Sequence, residues 1–299
     1  MSTAHSSAHA HRGGLIGAIG ISAAIFVVEL VAGIASGSVA LLADAGHVLA
    51  DVSGMVLAAA AIWLANRAPT AARSFGLYRV EILAAVVNAV LLFGISGFVI
   101  WEGITRLREP EDVSTGLMIV VAAGALVANA VALLLLRRGQ AQSLTMRGAY
   151  LEVLADALGA ATVLGAGIVI VVTGFRAADG LAAIFIGVLI LPRTWLLLRD
   201  SVDVLLEATP KGVDMTEVRR HILEAPGVSD VHDLHAWTIT SGMNVVSAHV
   251  VLETAADPGR LIDHLSDCLA ADFDINHSTF QLETPEHVLW EGRAQRARH

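Results

Sequence analysis

The 299-residue chain is 55% hydrophobic with a mean hydropathy of +0.67, too apolar for an ordinary soluble enzyme of this length. Its formal charge of −9 is uneven: residues 1–199 hold 12 Arg/Lys against 11 Asp/Glu, and residues 200–299 hold 7 against 17. A near-neutral membrane part followed by an acidic soluble domain fits that split, and nucleic-acid binding, which needs a basic face, is excluded.

The first fourteen residues (MSTAHSSAHAHRGG) are polar and are expected to form a flexible tail carrying His5, His9 and His11. The apolar run after them is too long for a signal-peptide core, so no cleavable signal is expected. Successive apolar runs of about 20 residues, enough to cross a ~30 Å hydrocarbon core, predict six transmembrane helices. They fall at 15–35, 39–65, 80–106, 116–136, 147–173 and 179–198, within an α-helical membrane domain over 15–207. The connection at 36–38 is so short that the first two spans must form a tight antiparallel hairpin. An even number of spans puts both termini on one side. Arg67, Arg73, Arg79, Arg137, Arg138, Arg147, Arg193 and Arg199 mark that side as cytoplasmic by the positive-inside rule, in a cell membrane.

From 208 to 299 the pattern predicts a small cytoplasmic α+β domain of αββαβ order, metallochaperone-like, with helices on one face of its sheet. Residues 214–225 read as an amphipathic helix, and 228–240 and 243–254 alternate as strands joined by the turn "TSGMN". Asp257 is placed to cap a helix over 258–271, and 275–283 reads as the last strand. The single cysteine, Cys268, excludes an internal disulfide framework and suits a reducing compartment.

Ionisable residues inside apolar spans cost several kcal/mol unless they do something. "LLADAGHVLADVSG" holds His47 and Asp51 four apart, on one helix face, and "AYLEVLADALG" repeats the arrangement with Glu152 and Asp156. Spans two and five run antiparallel, so His47 falls level with Asp156, and Asp51 with Glu152. One imidazole and three carboxylates then form a cluster that a divalent cation would neutralise, and four N/O ligands suit tetrahedral Zn²⁺. Asp44 lies nearer the outer end of its span and is read as a water-exposed entrance or helix-end residue. Glu29 is read as helix packing, with proton transfer left open. Glu81 and Asp179 are expected to be solvated near interfaces, and Asn88 to bridge helices.

These stretches resemble the cation diffusion facilitator family of proton-coupled exporters of zinc and related metals. "SGSVALLADAGHVLADVSG", "FGLYRVEILAAVVNAVLL" and "MRGAYLEVLADALGA" are similar to its second, third and fifth spans, and "VHDLHAWTITSGMNVVSAHVVL" to its cytoplasmic domain. The resemblance implies a transport site of His47, Asp51, Glu152 and Asp156, homodimers, and alternation between inward-open and outward-open states. It also implies a cytoplasmic metal site of His232, His249 and Glu283 near the dimer interface, with His264 contributing to a neighbouring one.

Three departures stand out. Glu152 takes the place of the usual histidine, which makes the site harder and opens it to Mn²⁺, Fe²⁺ or Co²⁺ besides Zn²⁺; the resemblance leaves an exporter of Mn²⁺, Fe²⁺, Co²⁺ or Cd²⁺ as the alternative to a zinc exporter. The loop "RRGQAQSLTM" has no histidine, and "NRAPTAARSFG" lacks the Asp and His of an extra site.

His232 and His249 lie about equally far from Gly242, so they can meet across the hairpin, while strand parity turns His235 the other way. His221, His277, His287 and His299 are expected to be unrelated to metal. The acidic domain should concentrate divalent cations, and Glu207 can pair with Arg79. Antiport follows as the expected mechanism, with His47 or Glu152 carrying protons; the expected partners are divalent metal ions, protons, the lipid membrane and a second copy of the chain. A membrane metallohydrolase fits poorly, because four protein ligands leave no open metal position and neither HExxH nor GxSxG occurs. A metal sensor would explain the histidines of the C-terminal domain but not the carboxylates of the spans.

Overall fold

The computed structural model describes residues 20, 23–137, 144–253 and 257–287, the side chains of 144–146 excepted. The expected N-terminal tail, the first part of the first span and His299 lie outside them. The chain divides into two compact units: Met1–Ala60 with Ala84–Leu198, and Ala61–Leu83 with Arg199–His299.

The first unit is helical. α1 (Ala23–Ser36) turns at Gly37, whose φ of +69° suits glycine, into α2 (Val39–Ala65). α3 (Val80–Arg108), α4 (Thr115–Leu136), α5 (Leu144–Thr173) and α6 (Ala177–Leu205) follow. The last five are each long and apolar enough to cross a membrane, and α6 runs seven residues beyond the expected end of its span. Large side chains such as Leu135, Val172 and Val120 stand exposed, as a lipid-facing surface requires. The interior is built from Ala32, Leu41, Leu92, Met118, Val163 and Ile186, one or more from each helix. α3 and α6 touch backbone to backbone: a Cβ added at Gly103 would come within 2.8 Å of the Gly180 carbonyl. Such close approach by small residues substitutes for the hydrophobic effect between helices in lipid.

Asp179, expected to be solvated, is instead 1% exposed. It reaches from α6 to the start of α2, accepting from Ser38 Oγ, from Val39 N at 2.8 Å and from Ala40 N at 3.3 Å. It therefore caps a neighbouring helix, satisfying amides that have no intrahelical partner.

In the second unit α7 (Met215–Leu223) is capped by Asp214, and α8 (Pro258–Phe273) by Asp257 with Pro258 opening the helix. β1 (Val228–Thr240) and β2 (Met243–Leu252) form an antiparallel hairpin, and β3 (His277–Glu283) pairs parallel to β2 after the α8 crossover. Val231, Ala236, Val246 and Val250 meet Val218, Ile222, Leu261 and Leu265 in the core, so both helices cover one face.

β1 carries a bulge between His232 and His235, where Asp233 adopts φ +47°. One extra residue inverts the strand parity beyond it. His235 thus pairs with Ser247 and shares the helix-free face with His232, contrary to the expectation from simple alternation. In the same unit Arg79 donates to Glu207 at 2.8 Å, as expected. Glu81 is held rather than solvated, accepting from Thr240 Oγ1 and from Ser241 Oγ at 2.9 Å. Burial and the nearby Asp272 carboxylate push the Cys268 thiol up, away from thiolate chemistry at neutral pH.

Candidate metal centres

α2 and α5 bring three of the four expected transport ligands together. His47 Nε2 lies 3.6 Å from Asp51 Oδ2 and 3.5 Å from Asp156 Oδ1. Ligand bonds of 2.0–2.2 Å in a tetrahedron set neighbouring ligand atoms about 3.3–3.6 Å apart. The observed spacing is that of donors around a common point. Asp51 Oδ2 and Asp156 Oδ1 have no hydrogen-bond partner among the described residues, nor does His47 Nδ1. Unpaired charged atoms in a buried site are costly, and a bound cation removes that cost.

Beside the three lies a cavity of about 80 Å³ lined by His47, Asp51, Asn88 and Arg193 among others. It is roomy enough for water. Asn88 of α3 lines it and packs its amide against Gly54 of α2, with Oδ1 lacking a hydrogen-bond partner among the described residues.

Glu152, the fourth expected ligand, is not one of the three converging atoms but lies beside them, sharing a side-chain hydrogen bond with Asp51. Its side chain is 31% exposed and accepts from Arg193 Nη2 of α6 at 3.3 Å. Asp44 lines the same cavity but is buried rather than set at an exposed entrance. It is 2% exposed, its carboxyl pressed against the α5 backbone at Gly159, and it hydrogen-bonds Glu29 of α1, which is 1% exposed. Its position along α2 alone suggests access to water, but α1 and α5 close over it.

The second cluster lies on the helix-free face of the sheet. His232 and His249 are direct cross-strand partners with ring centroids 5.0 Å apart. Glu283, 3% exposed, is registered beside β2 by the parallel pairing of β3. Its Oε2 is 3.1 Å from His232 Nε2, and its Oε1 2.8 Å from His249 Nδ1. The latter contact lacks hydrogen-bond alignment, leaving His249 Nδ1 without a partner in that sense. Two imidazoles and a buried carboxylate aimed at one point form a donor set suited to Zn²⁺. His264 does not join them. It sits exposed on α8, which packs on the opposite face of the sheet, and no group of three ligand side chains among the described residues includes it.

Residues 15–206 match the family model for the cation efflux transmembrane domain, and residues 210–285 that for the cation efflux protein, cytoplasmic domain. The chain belongs to the cation efflux, or cation diffusion facilitator, family. Members of this family are transporters rather than enzymes. Among cation efflux relatives, the metal cation efflux system protein CzcD of Cupriavidus metallidurans is 42% identical over 288 residues, covering 95% of this chain and 90% of that protein. The zinc transporter ZitB of Escherichia coli is 37% identical over 292 residues, 95% of this chain and 93% of that one. A "cadmium, cobalt and zinc/H(+)-K(+) antiporter" of Bacillus velezensis is 37% identical over 290 residues, with coverage of 93% and 92%. A solved structure, the metal-bound C-terminal domain of the C. metallidurans CzcD transporter, is 46% identical across 24% of this chain and 99% of that one, at a TM-score of 0.23.

The C-terminal cluster of this cation efflux protein has a direct test. Glu283→Gln keeps the side chain's shape and removes its charge. Counting Zn²⁺ bound per purified chain by elemental analysis should show the loss of about one equivalent, because a neutral amide is a poor ligand. An unchanged count would exclude Glu283 as a ligand.

Proposed function

We propose that the protein exports divalent metal cations, Zn²⁺ foremost, from the cytoplasm in exchange for protons. The convergence of His47, Asp51 and Asp156 at ligand spacing, buried and with the facing carboxylate oxygens Asp51 Oδ2 and Asp156 Oδ1 unpartnered among the described residues, carries this reading. Facing the cytoplasm, the cluster gives up protons and takes the metal. Facing outward, it releases the metal and takes protons again. His47 has the side chain whose ordinary titration lies near neutral pH. Alternating access by a homodimer, in a cell membrane and with both termini cytoplasmic, completes the proposal. The match of residues 210–285 to the cytoplasmic domain of the family and the arginine distribution support it.

Glu152 favours a second substrate range. If it swings from Arg193 to the metal, the site holds three carboxylates and one imidazole, a harder donor set that accepts Mn²⁺, Fe²⁺ or Co²⁺. Glu152→His should shift the ratio of Zn²⁺ to Mn²⁺ uptake toward zinc by about fivefold or more, since imidazole suits zinc better than manganese. Competition uptake into vesicles containing the purified protein measures it. An unchanged ratio would remove Glu152 from the site.

A further inference from the structure

Arg193 is a fixed cation at the edge of a cation site, which is an unfavourable placement unless it serves the site. Its guanidinium lies 3.3 Å from Glu152 and lines the same cavity as His47 and Asp51. It is close enough to interact electrostatically with His47, Asp51, Glu152 and Asp156 alike. With the carboxylates of Asp51, Glu152 and Asp156 ionised and His47 neutral, the four ligand candidates carry a charge of −3. One divalent cation leaves −1, and Arg193 brings the sum to zero.

We propose that Arg193 is the built-in counter-charge of the transport site, paired with Glu152 so that a cluster with three carboxylates is neutral when it holds one divalent cation. The inference rests on the transport reading above. Its logic is that a loaded site must cross between two orientations through a low-dielectric interior, where an uncompensated charge adds to the barrier. Glu152 and Arg193 therefore act as a unit. Removing Glu152 alone leaves a surplus positive charge that repels the metal, and removing Arg193 alone leaves a surplus negative charge that retains it. Ligand type sets the ratio between metals, whereas the Glu152–Arg193 charge balance acts on all divalent cations together.

The test is Zn²⁺ uptake kinetics in vesicles containing the full chain, unsubstituted and with R193K, R193Q, E152H and E152H/R193Q, each confirmed monodisperse. R193K, which keeps the charge, should stay within about threefold of the unsubstituted KM. R193Q should lower KM and kcat together, and E152H should raise KM, each by about tenfold, while the double variant returns to within about threefold because the two errors cancel. Opposite shifts that cancel are not produced by a merely structural arginine or by one that only anchors α6 at the lipid surface. KM unmoved in R193Q, or losses that multiply in the double variant, would overturn the counter-charge while leaving transport standing. No uptake by the unsubstituted protein would overturn the transport reading itself.

Discussion

Asp51→Ala and Asp156→Ala should each abolish metal uptake, by at least about a hundredfold, or about 2.7 kcal/mol, while the protein stays folded. Each removes a carboxylate oxygen that lies 3.5–3.6 Å from His47 Nε2 in the converging group, so the cation loses a charged ligand. Stability should move little or even rise. Asp51 Oδ2 and Asp156 Oδ1 have no hydrogen-bond partner among the described residues, so each deletion chiefly removes a buried charge, with Asp51 also giving up its bond to Glu152. Uptake beside thermal unfolding of the detergent-solubilised variants separates the two quantities. A variant that loses transport only because it unfolds would contradict this assignment.

Asp179→Ala should behave in the opposite way. Asp179 takes no part in the metal cluster, yet it binds Ser38 Oγ and the amides of Val39 and Ala40 in a buried setting. Alanine leaves those donors unpaired, at a cost of about 2–4 kcal/mol. The expected result is a lower unfolding temperature and a poor yield of monodisperse protein. Asp179→Asn, which keeps one acceptor oxygen, should recover part of the loss. Unchanged stability in Asp179→Ala would mean that water or another side chain reaches the start of α2.

Local signals in the sequence are strong where one element decides the outcome. The bounds of α2 and the cap Asp257 follow from apolar runs and from a side chain acting on its own helix. His232 opposite His249 follows from a short hairpin and a turn at Gly242. What eluded sequence reasoning involves a second element. Asp179 caps a helix about 140 residues away in sequence, and nothing near Asp179 signals that. Asp44 is buried by Gly159 of α5 and Glu29 of α1, although its position along α2 alone suggests access to water. His235 changes face because of one bulge residue, Asp233, whose left-handed backbone is not legible in an alternating pattern. In the site, helical spacing pairs His47 with Asp51 and antiparallel packing adds Asp156. The spacing is silent about α6, and so about the arginine that engages Glu152.

On the proposed function, the buried cluster moves a metal cation across a membrane against protons. The most direct measurement of this exchange is Zn²⁺ entry into vesicles holding the purified protein and an entrapped metal-sensitive dye, with and without an imposed pH gradient. Entry that follows the gradient's sign, rising when the interior is acidic and falling when it is alkaline, is the expected result. Entry by folded protein that is indifferent to the gradient would contradict proton exchange, and the absence of entry for any divalent metal would contradict transport.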